Sequence, residues 1–127
     1  MTRAIVIGHS ALPHALIETL SSIVGPAEGI VGISNQGLSS EKLLAQINAA
    51  LDKFNPDESI LFVDVPGGSC ATSCMAIVRE RKKVPIICGV NLLILLEFYI
   101  NRDRYPRDQL AELLVNKGKD SIKRVGG

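Results

Sequence analysis

The chain has no tryptophan, and its two tyrosines and three phenylalanines make it only 4% aromatic. Little surface is therefore available for stacking successive nucleic-acid bases. An excess of charge is also missing. Fourteen Lys and Arg stand against thirteen Asp and Glu, a net +1, with the signs interspersed. There is neither a basic footprint for nucleic acid nor an acidic tail. Cysteine is scarce and odd in number, with Cys70, Cys74 and Cys88. The opening residues lack the charged-then-apolar pattern of a secretory leader, so the expectation is reduced thiols in a cytoplasm. Cys70 and Cys74 could be grouped with Cys88 and His9 around zinc. Their spacing matches no zinc signature, so the reading is packing, with no metal and no cofactor. No membrane-length apolar run is present. Residues 84–100 come nearest, but Pro85, Gly89, Asn91 and Glu97 interrupt them, which predicts a buried strand, turn and helix and no membrane insertion.

What is present suits one domain over residues 1–127, since 46% hydrophobic residues can fill a single core. The organising stretch is Ala4-Ile5-Val6-Ile7-Gly8-His9-Ser10, an apolar, β-branched run that stops on Gly-His-Ser. It predicts a buried strand with His9 at its carboxyl end. Pro13 and the helical spacing of Leu12, Ala15, Leu16, Leu20, Ile23 and Val24 then predict a helix, closed by Gly25-Pro26. Residues 29–34 form a second strand and Asn35-Gln36-Gly37 a turn. Ser39 caps a second helix with an apolar stripe of Leu43, Leu44, Ile47, Leu51 and Phe54, stopped at Asn55-Pro56-Asp57. A third strand spans 59–65 and a third helix 70–81. Residues 84–88 give a fourth strand, and the helix from Leu92 to Ile100 is apolar around most of its circumference. Such a helix needs cover on a second side, from its own chain or another subunit, and this is read as a hint of a dimer. A polar linker over 102–106 leads to a last helix marked by Leu110, Leu113 and Leu114 and ended by Gly118. Residues 120–125 have some strand character and no obvious partner. Alternating strands and helices predict an α/β fold, a doubly wound, mostly parallel four-stranded sheet with helices on both faces. Strand order is left open.

Three strands end on residues with chemistry: Gly8-His9-Ser10, Asp64-Val65-Pro66-Gly67-Gly68-Ser69 and Gly89-Val90-Asn91. If the first and third strands are neighbours, His9 and Asp64 come within hydrogen-bonding reach. A carboxylate on one ring nitrogen fixes the tautomer, leaves the other as a nucleophile and stabilises the cation formed when that nitrogen is substituted. Gly67, Gly68 and Ser69 at a helix start offer amides, a hydroxyl and the positive helix end to a phosphoryl group. Each piece alone also has a plain structural role, as a loop histidine, a turn cap or a helix start. His14, one turn into the first helix, reads as a surface or rim residue. Asn91 reads as a helix cap that could also line the rim.

These motifs resemble the mannose-type IIA domains of the bacterial sugar phosphotransferase system. The opening strand is similar to that family's strand ending on Ser/Thr-His-Gly, residues 64–69 to its Asp-x-x-Gly-Gly-Ser-Pro, Gly89-Val90-Asn91-Leu92 to its Gly-Val-Asn-Leu-Pro, and Gly37 to Leu43 to its Gly-x-Ser-Pro-Glu-x-Leu. The resemblance implies a phosphocarrier in which His9 accepts a phosphoryl group from phospho-HPr and passes it to a IIB domain. Asp64 would orient the ring, while Ser69, Gly68, Gly67 and Ser10 would contact the phosphoryl group. It further implies a homodimer in which residues 120–125 are exchanged as an antiparallel strand, and at most peripheral association with a membrane permease complex.

The sequence departs from the family at Gly8 (Ser or Thr), Ser10 (Gly), Cys70 (Pro) and Leu93 (Pro), and His14 stands where many relatives carry an acid. None of these removes His9 or Asp64. No IIB domain is read within the 127 residues, so a separate acceptor is expected. A regulatory module switched by phosphorylation of His9 is the alternative. A serine hydrolase attacking through Ser10 ranks below both, because Leu12 occupies the second glycine of Gly-x-Ser-x-Gly.

Overall fold

Alternation along β1 (Arg3–Gly8) decides the layering. Ala4 and Val6 enter one apolar layer, Ile5 and Ile7 the opposite one, because successive strand side chains point to opposite faces. All four are fully buried, so the strand must be covered on both sides, as in a parallel sheet wrapped by helices. The computed structural model describes residues 1–81 and 83–127. It contains β2 (Ile30–Ser34), β3 (Ser59–Val63) and β4 (Ile86–Cys88) beside β1, all parallel, in the order β2-β1-β3-β4. Helices α1 (Leu12–Val24), α4 (Leu92–Asn101) and α5 (Arg107–Ser121) pack into the first layer. The second layer takes α2 (Ser40–Phe54) and α3 (Ser69–Glu80). Phe62 of β3 meets Phe98 of α4 edge to face at 5.7 Å, and truncating either ring would cost about 3–5 kcal/mol.

Strand order positions the site. The connection after β1 runs outward to β2 and the connection after its neighbour β3 runs the other way to β4, which opens a crevice beyond the carboxyl ends of β1 and β3. Ile7 lies opposite Val63 in the parallel register, so His9 and Asp64 emerge side by side. The Asp64 amide still donates to the Ile7 carbonyl at 3.3 Å.

The expected helix signals operate locally. Ser39 Oγ accepts from the Lys42 amide at 3.2 Å, and Asn91 Oδ1 from the Ile94 amide at 2.9 Å, each satisfying a free donor of a first turn. Asn55, at φ 77°, ends α2 and leads into a 3-10 turn at Pro56–Glu58.

Three expectations change. Gly118 does not end the last helix, which continues to Ser121. The glycine is there for packing: a Cβ on it would meet Ile94 Cδ1 at 2.8 Å. Residues 120–125 form no strand within the single chain. Asp120 and Ser121 complete α5, and the rest is irregular, with Ile122 85% and Val125 93% exposed. The second side of α4 is covered largely by its own chain, where Leu110 and Leu114 of α5 join Ile94, Leu95 and Phe98 in one layer. Its apolar circumference therefore gives little support to a dimer. Among the described residues no helix is long and apolar enough to cross a membrane.

Candidate functional site

Asp64 leaves the sheet one residue after β3, with its side chain only 8% exposed beneath a His9 ring that is 46% exposed. Its Oδ2 accepts from the His9 amide at 2.9 Å and lies 2.7 Å from His9 Nδ1, while Oδ1 accepts from the Val65 amide at 2.9 Å. Burial pushes the Asp64 carboxyl up, but the His9 ring, the two amides and the attraction of His9 outweigh it and hold the group below its usual value. An ionised carboxylate can only accept, so Nδ1 carries the hydrogen and donates it. In the neutral ring this leaves Nε2 with the free lone pair.

That nitrogen faces the start of α3. A Cβ placed on Gly68 would lie 3.9 Å from Nε2 and 3.8 Å from Cε1. Gly68 adopts φ 89°, a conformation that side chains disfavour. The backbone thus reaches the nucleophilic edge of the ring where the first amides of a helix are unpaired. Ser69 begins this helix with its hydroxyl exposed. At Gly8 a Cβ would stand 3.2 Å from both Asp64 Oδ2 and Pro13 Cγ, so the glycine there relieves crowding under the carboxylate.

The other expected residues divide. Gly67 is exposed beside Gly68, and Ser10 sits next to His9 at φ 53° with its carbonyl accepting from Ser34 Oγ at 2.7 Å. Among the described residues Ser10 makes no hydrogen bond to an imidazole, and the oxygen partners of His9 belong to Asp64. The hydrolase arrangement is therefore not formed. Asn91 caps α4 and borders a groove formed with Ile94, Val115, Gly118 and Ile122, whose lining does not include His9. His14 lies over the edge strand, where its Nδ1 would be 2.8 Å from a Cβ on Gly32. Both histidines are exposed, but among the described residues only His9 is held by a carboxylate.

Two neighbours are not read as site residues from the sequence, which takes Asn35 for a turn and Cys70 for packing. Asn35, read as part of a turn, donates from Nδ2 to Ser69 Oγ at 3.3 Å; its place just beyond β2, on the same edge as His9, was the available signal. Cys70 Sγ lies 3.8 Å from His9 Nδ1 and is buried. Burial and the charge of Asp64 push its thiol up, partly offset by a hydrogen bond with Ser69. Burial pushes Cys74 further, to about 12, which makes it an inert core thiol. The four-residue grouping around zinc is not formed. Instead, among the described residues, His9, Asp64 and Cys70 bring one ligand atom each within 4.8 Å of one another.

Fold and site together define a doubly wound α/β domain that presents a carboxylate-buttressed histidine at its topological switch. Comparison with known proteins makes the class specific. Residues 3–115 match the family model described as the PTS system fructose IIA component, and the chain belongs to this mannose-type EIIA family of phosphotransferase-system components. It is 35% identical to the PTS system mannose-specific EIIAB component of Escherichia coli over 98% of its own length and 40% of the relative's. The PTS system fructose-specific EIIA component of Bacillus subtilis is 29% identical over 97% of this chain and 86% of that one. The chain thus spans about two fifths of the length of the EIIAB relatives it matches. A phosphotransferase system component EIIA from Streptococcus agalactiae superposes with a TM-score of 0.90 at 23% identity, over 98% of this chain and 97% of that one, which shows the shared fold.

Proposed function

We propose that the chain is a phosphocarrier whose acceptor atom is His9 Nε2. The observation that carries this is the double hold of Asp64 Oδ2 on the amide and Nδ1 of one histidine. It leaves Nε2 as the nucleophile, 3.9 Å from where a Cβ of Gly68 would be. The donor, by family membership, is phospho-HPr. As the Nε2–P bond forms, the bond from phosphorus to the donor nitrogen breaks and its electron pair stays on that nitrogen. His9 becomes an imidazolium whose Nδ1–H remains bonded to Asp64, so the growing positive charge is met by a buried carboxylate. Gly67, Gly68 and Ser69 hold the phosphoryl oxygens, with Asn35 steadying the Ser69 hydroxyl; Ser10 flanks the ring. A second nucleophile, on a IIB domain, then attacks phosphorus and releases neutral His9. The reaction needs no metal and no cofactor, and the carrier works in the cytoplasm.

The working form in this reading is a homodimer. Its support is the unpaired side of the edge strand β4 and the exposed apolar residues Ile122 and Val125 beyond α5.

Incubating the protein with enzyme I, HPr and phosphoenolpyruvate should add one acid-labile phosphate per chain by intact mass, and fragmentation should locate it on His9. His9→Ala should take up none. Full labelling of that variant would overturn the assignment.

A further inference from the structure

Cys70, a departure from the family pattern, brings its side chain to the reactive ring, with Sγ 3.8 Å from His9 Nδ1. It occupies the second position of α3, immediately after Ser69. A first-turn position accepts proline readily, as in the motif this segment resembles, and the helix itself has no need of a thiol there. Proline would offer no donor atom. Cysteine completes a set of imidazole nitrogen, carboxylate oxygen and sulfur, with one atom of each within 4.8 Å of the others. Mixed sulfur and nitrogen donors suit zinc and its neighbours, whereas magnesium and calcium require oxygen-rich sites.

We propose that His9 Nδ1, Asp64 Oδ2 and Cys70 Sγ form a binding site for a thiophilic divalent cation of the zinc type, and that cation and phosphoryl group exclude one another on His9. With metal–ligand bonds of about 2.0–2.3 Å, donors of a tetrahedral zinc site stand about 3.3–3.6 Å apart. Here Nδ1 and Oδ2 are 2.7 Å apart and Nδ1 and Sγ 3.8 Å. The cation enters by widening the first separation and drawing the sulfur in. His9 is half-exposed, so solvent supplies the fourth ligand and the route of entry.

The proton balance explains the exclusion. The thiol loses one proton to solvent as sulfur binds the metal. Nδ1 gives up its hydrogen, and the neutral imidazole carries it on Nε2 instead. The lone pair that would attack phosphorus is then occupied by a proton, and Asp64 no longer holds the ring in the productive tautomer. The exclusion rests on the phosphocarrier reading; the metal site does not.

Cobalt(II) is the probe, because thiolate-bound cobalt absorbs in the near ultraviolet and tetrahedral cobalt in the visible. Titrating the reduced, metal-free chain should give both absorptions at one equivalent, and Zn²⁺ should abolish them. Cys70→Ser should lose the sulfur band. His9→Gln, a change at a half-exposed side chain that leaves the core intact, should weaken binding at least tenfold, while Cys88→Ser should bind as the parent does. No sulfur band at saturating cobalt, a band retained by Cys70→Ser, or a band lost in Cys88→Ser would overturn the site. Cobalt-loaded chain freed of excess metal should accept phosphate from phospho-HPr at least tenfold more slowly than metal-free chain. Equal rates would overturn the exclusion. A metal-free chain that accepts none would overturn the carrier reading, while the cobalt spectrum tests the site independently.

Discussion

One carboxylate oxygen, Oδ2 of Asp64, receives both the amide of His9 at 2.9 Å and its Nδ1–H at 2.7 Å. An asparagine of the same shape cannot reproduce the whole set. With its oxygen under His9, its NH₂ faces the Val65 amide that Oδ1 of Asp64 accepts from, and it brings no negative charge to the imidazolium. Hydrogen bonds to charged groups contribute about 1.5–3 kcal/mol. Asp64→Asn should therefore slow phosphoryl uptake by His9 by roughly 10- to 100-fold, with the fold retained. Single-turnover labelling by phospho-HPr measures this. A rate equal to the parent's would remove Asp64 from the mechanism.

The same contacts make stability depend on acid. The contacts with His9 and the two amides hold the Asp64 carboxyl below its ordinary value of 3.8, so the folded state favours the ionised carboxylate more than the unfolded chain does. The resulting stabilisation is complete above 3.8 and is lost as the pH falls below it, through the lower folded value. Urea midpoints of the parent and Asp64→Asn should differ at neutral pH and converge in acid. A gap that stays constant on acidification would contradict the assignment.

Gly118 and Ile94 join α5 to α4. A Cβ on Gly118 would lie 2.8 Å from Ile94 Cδ1 and 3.1 Å from Cγ1. Alanine favours a helix over glycine by about 1 kcal/mol, whereas overpacking a buried contact costs about 1–3 kcal/mol. Gly118→Ala should accordingly destabilise the protein by up to about 2 kcal/mol in urea denaturation. Ile94→Val removes the closest atom, so the double variant should lose less than the sum of the single changes. Simple additivity would show that this contact is not the cause.

Deleting residues 122–127 leaves α5 (Arg107–Ser121) whole. If these residues pair with a second copy, the shortened chain should sediment as a monomer at concentrations where the parent is a dimer. An equally stable dimer after the deletion would count against the exchange.

The sequence by itself determined the periodicities. The unbroken apolar runs Ala4 to Ile7 and Ile60 to Val63 had to be strands buried on both faces, and Leu43, Ile47 and Leu51 one face of a helix, because local side-chain spacing decides which surfaces can be buried. It also marked His9, Asp64 and Gly67-Gly68-Ser69 as polar ends of apolar runs. It misplaced the end of the last helix at Gly118, since a glycine that ends a helix and one that admits Ile94 from another helix look alike along the chain. Tertiary structure decided the rest. The order β2-β1-β3-β4 brings His9 beside Asp64 across 55 residues, turns Cys70 and Asn35 toward the same crevice, and lays α5 over α4. Such neighbours are set by how layers bury their apolar faces together, a property of the whole packed sheet that no local spacing encodes.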